Sequence, residues 1–183
     1  KGVTLIDPSS VFFSKDTIIG KDVVIYPNVY FGPGVKVGDK TTIKSFCHIE
    51  LTKIGNNSVI GPFARLRGET VIDKNTKIGN FVEVKKSKIS HDVKISHLSY
   101  VGDSVIEKNT NIGAGTITCN FDGFKKNKTY IGENCFIGSN TSLIAPIKIK
   151  KNSVIGAGTV IDKNVQEGSV VYRKSKLIKK DKK

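Results

Sequence analysis

A period of six residues runs through almost the whole chain. Apolar anchors recur at Ile19, Ile25, Phe31, Val37, Ile43 and Ile49, then at Ile54, Ile60, Leu66, Ile72, Ile78 and Val84. Shortened steps lead to Ile89, Ile95, Val101 and to Ile106, Ile112, Thr118; beyond an insertion the series resumes at Ile131, Ile137, Leu143, Ile149, Ile155 and Ile161. Of these 24 anchors only Thr118 is polar. Two residues before an anchor the side chain is usually small or β-branched, as at Val23, Thr41, Cys47, Ala64, Val82, Ser99 and Thr141, and glycine often follows the anchor. A strand sends residues i and i+2 to one side and i+1 to the other, so each hexad reads as a short strand with two inward side chains. The glycine then marks a turn. No α-helix repeats every six residues, and a β-branched, glycine-rich composition suits strands better. Three hexads close a triangular coil of about 18 residues, and coils stack about 4.8 Å apart through parallel pairing. The prediction is an all-β chain, a parallel β-helix of about eight triangular coils over residues 1–171 with one inserted loop, followed by a basic tail over 172–183. Aliphatic ladders fill the interior, so a functional site has to lie on an outer corner or between copies.

Composition narrows the function classes. The net charge of +14 comes from 30 Lys and Arg against 16 Asp and Glu, but only Arg65, Arg67 and Arg173 are arginines. Lysines scattered over every coil make a solvated surface rather than the arginine-bearing stripe that recognises a phosphate backbone, which argues against nucleic acid. Apolar runs are too short to cross a bilayer, so no membrane partner is expected. The first residue is Lys1 and no charged-then-apolar leader follows, as in an excised domain. Cys47, Cys119 and Cys135 form no CxxC pair and are odd in number, which favours a reducing compartment and a cytoplasmic location. His48, His91 and His97 have no spacing that converges three ligands, so no metal is expected.

Counting in steps of three hexads aligns Ile95, Ile112, Ile137 and Ile155 on one edge, and the second residues after them are His97, Ala114, Ser139 and Ala157. One imidazole and one hydroxyl then share a groove lined by small residues; the alternative is that small residues merely suit tight turns. On another edge Arg67 and Lys85 fall one coil apart, with Arg65 and Lys86 near them. Cations stacked at strand spacing repel unless an anion joins them, and a sugar phosphate is such an anion; two solvated charges are the plain alternative. Between Thr118 and Ile131 the period stretches by seven residues, which places Cys119–Thr129 in a projecting loop with Lys125, Lys126 and Lys128.

Longer segments carry a resemblance. Gly61-Pro-Phe-Ala-Arg-Leu-Arg67, Gly79-Asn-Phe-Val-Glu-Val-Lys85-Lys86, His97-Leu-Ser-Tyr100-Val-Gly-Asp103, Asn111-Ile-Gly-Ala-Gly-Thr-Ile-Thr-Cys-Asn120-Phe-Asp-Gly123 and Phe136-Ile-Gly-Ser-Asn-Thr141 resemble the C-terminal acetyltransferase domain of the bacterial family that joins glucosamine-1-phosphate N-acetyltransferase to N-acetylglucosamine-1-phosphate uridyltransferase. The resemblance implies left-handed coiling, a homotrimer with sites between subunits, and acetyl transfer from acetyl-CoA to the amine of glucosamine 1-phosphate, without a metal. It implies His97 as general base, the task suited to a side chain that titrates near neutral pH, with Glu83 orienting it and Asn120 near the reacting groups. Arg67, Lys85, Tyr100, Asn111 and Lys126 match the sugar-phosphate contacts. Ser139 matches a group that stabilises the developing oxyanion, and Ala114, Ser139, Ala157 and either Arg173 or Lys174 match acetyl-CoA contacts. The chain departs from the family in having Phe121 where tyrosine is usual and Gly68 where proline is usual, and nothing in it resembles the uridyltransferase half. Another hexapeptide acyltransferase and a non-catalytic β-helical scaffold are the competing readings.

Overall fold

A computed structural model describes residues 2–174. Its 27 short strands pair only in parallel and form three faces. The first face has ten strands, from Thr4–Leu5 to Val170–Val171; the second has nine, from Val11–Phe13 to Val160–Ile161; the third has eight, from Ile18–Ile19 to Ile147–Ile149. Strands pair with the strand three further along the chain, except at the last coil, where Val154–Ile155 pairs with Val170–Val171 two strands on, so the backbone winds around a triangular column for about nine turns. The 24 anchors fall one in each of the 24 consecutive strands from Ile18–Ile19 to Val160–Ile161. The count exceeds the eight coils expected because Thr4–Leu5 and Val11–Phe13 begin a coil before the repeat becomes regular, and Val170–Val171 closes one after it ends. Among the described residues no helix is long and apolar enough to cross a membrane.

Anchors and the residues two before them make one continuous core, with Ile43, Ile60, Ile78, Ile95 and Ile137 wholly inaccessible. The interior also holds Thr and Ser at the smaller position, and most of their hydroxyls donate to a nearby backbone carbonyl, several of them on the adjacent coil: Thr41 Oγ1 donates to Gly55 O at 3.0 Å and Thr110 Oγ1 to Gly132 O at 2.9 Å, whereas Thr129 Oγ1 has no partner among the described residues. A buried hydroxyl is tolerated when it is bonded in this way.

The turns depart from the glycine signature. Most glycines that follow an anchor do not take positive φ; they are required because the next coil passes too close for a Cβ, which at Gly55 would sit 2.5 Å from Lys74 N and at Gly113 2.5 Å from Ser139 N. The left-handed residue comes later in the turn and is often Asn or Asp, as at Asn28, Asn57, Asn75, Asp92, Asn109, Asn134 and Asn152. Short polar side chains tolerate that conformation best. Phe46, Phe63, Phe81 and Leu98 occupy it as well, and no local preference accounts for them.

Candidate active site

Strand Lys94–His97 ends the first face at the corner leading to the second. Pairing of Ile95 with Ile112, Ile112 with Ile137 and Ile137 with Ile155 stacks His97, Ala114, Ser139 and Ala157 along that corner. Backbone bonds tie the row together: Gly115 N donates to His97 O at 3.2 Å, Asn140 N to Ala114 O at 2.7 Å and Gly158 N to Ser139 O at 2.7 Å. Pairing of Ile155 with Val171 continues the row to Arg173, with Lys174 one residue beyond. His97, Ser139, Ala157 and Arg173 are all exposed.

One coil below, Asn80 pairs with His97 and its Oδ1 lies 2.6 Å from His97 Nδ1. An amide oxygen only accepts, so Nδ1 carries a proton, and in the neutral ring the lone pair lies on Nε2, directed away from Asn80. Sequence reasoning missed Asn80. The signal was present in its place on the His97 edge one coil earlier, but it becomes visible only once the register is known.

The corner between the second and third faces holds the cations. Arg67, Lys85 and Gly102 are direct register partners there. Arg67 Nε donates to Glu83 Oε1 at 2.6 Å, both side chains being about a third exposed. Glu83, expected beside the imidazole, is therefore engaged by Arg67 within the chain, and Asn80 takes the place expected for it. Stacked cations called for an anion; Glu83 supplies one to Arg67, whereas Lys85 has no ion pair among the described residues. Tyr100 follows Glu83 along the outer side of the second face, and buried Asn120 lies over Gly102. The inserted loop projects as expected: Lys126 Nζ stands 4.2 Å above the Phe121 ring, while Asp122 accepts from the amides of Phe124 and Lys125. Asn111 is separate from this group, on the first face between Lys94 and Phe136. Among the described residues no cluster of three or more His, Cys, Asp or Glu side chains is arranged to hold a metal ion.

Below His97 the same corner is apolar. Phe46 stacks on Phe63 with ring centroids 4.7 Å apart, and Phe63 on Phe81 at 5.0 Å; with Leu98 they form a column of side chains about half exposed to water. Each also sits in the left-handed region, at a cost of order 1–2 kcal/mol for a residue of this kind. Above Leu98 the equivalent positions become Gly115, Asn140 and Gly158. The bulky stripe gives way to small residues at the level of the imidazole.

A model of the bacterial transferase hexapeptide (six repeats) matches residues 16–50 and 51–86, and one of the hexapeptide repeat of succinyl-transferase matches residues 128–163. The bifunctional protein GlmU of Wolbachia pipientis wMel is 51% identical over 179 residues, 98% of this chain and 42% of that protein. GlmU of Zymomonas mobilis is 53% identical over 174 residues, 95% of this chain and 39% of the relative. The chain belongs to the hexapeptide-repeat part of the GlmU family. It spans about two-fifths of the length of these GlmU relatives. Solved structures outside GlmU share the fold: LpxA, a UDP-N-acetylglucosamine acyltransferase from Bacteroides fragilis 9343, superposes with a TM-score of 0.77 at 19% identity, covering 88% of this chain and 69% of LpxA. LpxA from Acinetobacter baumannii gives 0.66 at 17% identity, covering 91% and 70%.

Proposed function

We propose that this chain transfers the acetyl group of acetyl-CoA to the amine of glucosamine 1-phosphate in the cytoplasm, as a homotrimer of left-handed columns with sites between neighbouring copies. The observation that carries the reading is the change of character of one corner at His97, where an imidazole with its Nε2 free stands between an apolar stripe and a row of small residues. Water contact with three stacked phenylalanines and a leucine is unfavourable, and burying such a side chain contributes about 1.5–3 kcal/mol each. Three copies packed by their stripes satisfy this. A threefold arrangement with that corner at its axis sets the second face of one copy against the first face of the next, so Arg67, Lys85 and Tyr100 of one copy face Asn111 of another. The split of the sugar-phosphate contacts over two faces then has a reason. Beyond Leu98 the small residues leave room along the corner for acetyl-CoA, with Ala114, Ser139 and Ala157 beside the acyl arm and Arg173 and Lys174 toward the phosphates.

The chemistry follows from the groups at hand. Lys85 and Arg67 hold the phosphate, supported by Lys126 from the loop. The sugar amine attacks the thioester carbon, the carbonyl electron pair moves to oxygen opposite the Ser139 hydroxyl, and its return expels the CoA sulfur. His97 Nε2 takes one amine proton and delivers it to the leaving thiolate. Asn80 holds the ring in the tautomer this requires. Release of free thiol from acetyl-CoA, measured over an acceptor panel that includes glucosamine 1-phosphate and unphosphorylated glucosamine, tests the proposal. Turnover is expected to be fastest with the phosphorylated sugar, and His97→Ala should lower kcat by about 10²–10⁴-fold, the usual contribution of a general base, without dissociating the trimer. Undiminished turnover in that variant would remove His97 from the mechanism.

A further inference from the structure

The acetyl transfer described above leaves one buried acid without a task. Asp103 is 9% exposed and takes positive φ at the corner that carries Lys85. Its Oδ2 accepts from Asn120 Nδ2 at 2.6 Å, and the same nitrogen donates to Tyr100 Oη at 3.3 Å. Both N–H groups of the Asn120 amide are thereby taken. Gly102 makes this arrangement possible, since a Cβ there would lie 2.6 Å from Asn120 Nδ2 and would collide with the Tyr100 hydroxyl. In register, Gly102 follows Arg67 and Lys85 along the corner. The row of cations thus ends in a cradle shaped to the Asn120 side chain.

A carboxylate has only acceptors to offer, so the Asn120 amide cannot be turned over without setting oxygen against oxygen. Its Oδ1 is left facing outward. Among the described residues no donor reaches Oδ1, and the buried side-chain polar atoms that lack a partner are Thr17 Oγ1 and Thr129 Oγ1, so Oδ1 reaches the surface of a residue otherwise 4% exposed. A group so fixed can meet only a donor.

We propose that Asp103 is a positioning residue that locks the Asn120 carboxamide with its oxygen toward the substrate, where it accepts an N–H of the sugar amine and not the developing oxyanion. This rests on the acetyl-transfer reading. In the reaction as balanced above, a neutral amine brings two protons: one goes to His97 and then to the thiolate, and the other stays on the amide product. The retained N–H is the one Asn120 accepts, which fixes the direction of the nitrogen lone pair during attack. A hydroxyl acceptor has a single proton, and that proton is needed by the base. The Asp103–Asn120 pair therefore selects an amine over a hydroxyl.

The test is a swap. In Asp103→Asn the new amide can donate to Asn120, which lets Asn120 turn its nitrogen outward; kcat should fall roughly 10- to 100-fold while KM for acetyl-CoA changes by less than about twofold. In the double variant Asp103→Asn with Asn120→Asp, the carboxylate at position 120 accepts from the amide at 103 and still presents an oxygen to the substrate, so kcat should recover about tenfold or more. Thermal midpoints of both variants separate this from a purely structural role. The proposal is overturned if Asp103→Asn keeps kcat within about threefold of the parent, or if the double variant regains the midpoint without regaining kcat. Should the parent release no CoA with any amino sugar, the acetyl-transfer reading fails on its own. The orientation is then judged by NMR on the ¹⁵N-asparagine-labelled full chain, where slow exchange of the Asn120 side-chain NH₂, lost in Asp103→Ala, supports the lock and exchange as fast as that of an exposed amide refutes it.

Discussion

At the scale of single residues, exceptions to the repeat mark where the column does more than stack. Thr118 is the one polar anchor, and its Oγ1 accepts from Gly102 N at 2.8 Å beneath the cradle that holds Asn120. An aliphatic anchor would leave that buried N–H unpaired, a cost of about 1–3 kcal/mol. Thr118→Val, which preserves shape, should therefore lower unfolding free energy by about that amount in urea titration, whereas the same change at Thr41, whose hydroxyl donates to a carbonyl and accepts from no amide, should cost less. A loss at Thr118 no greater than at Thr41 would remove the special role. Asn80 is an exception of another kind, a side chain whose Oδ1 meets Nδ1 of the His97 ring one coil above it at 2.6 Å. Asn80→Ala should lower kcat by roughly ten- to a hundredfold, less than loss of the base itself, and leave KM for glucosamine 1-phosphate nearly unchanged. A raised KM with intact kcat would instead assign Asn80 to substrate binding.

Among the elements, the inserted loop has its own internal order. Asp122 accepts from the amides of Lys125 and Phe124 and from Asn127 Nδ2, and these bonds, the Lys125 amide first among them, hold its carboxyl down to about 2 from the ordinary 3.8. A lowered carboxyl favours the ordered loop above its ordinary titration range, and that preference is lost as pH falls through about 2. The Asp122 carboxyl carbon should titrate by NMR with a midpoint near 2, with the Phe124 and Lys125 amide shifts following it; a midpoint at the ordinary value would show that the loop is not held this way. The loop's existence was legible in the sequence because it interrupts a strict period. So were the strands, since each inward pair carries its own apolar signature, and so was the His97–Ala114–Ser139–Ala157 row, which needs only counting. The end coils were not legible: Leu5, Phe13 and Val171 pack on one side only and are more exposed than the inner anchors, so burial does not impose the strict six-residue spacing on them. The partners of His97 and Glu83 were not legible either, because a short-range bond depends on rotamers and corner register rather than on periodicity. Glycine misled in detail, because it signals close passage of the next coil as much as left-handed backbone.

For the whole molecule, the central question is which surfaces of different copies combine. One column presents His97 on one corner and Arg67 with Lys85 on another, with the outer side of the second face between them. A single column leaves the Phe46, Phe63, Phe81 and Leu98 side chains about half exposed to water, and closed cyclic symmetry is the usual way for identical copies to bury such a stripe without forming open fibres. If the stripe lies at a threefold axis, Lys85 and Asn111 of one chain belong to different sites. Lys85→Ala and Asn111→Ala should each depress turnover in the homotrimer, yet trimers reassembled from an equal mixture should contain sites that take Lys85 from one variant and Asn111 from the other. Random assortment gives about a quarter of all sites both intact groups, so turnover should rise toward about a quarter of the parent value, well above either variant alone. Same-chain sites would show no such recovery, because every site would then carry one defect. Phe63→Asp supplies an independent check on the stripe, since three carboxylates brought together at an axis repel. Sedimentation should show that variant dissociated, with CoA release lost to the same extent, and a dissociated chain that still turned over would place the whole site within one column.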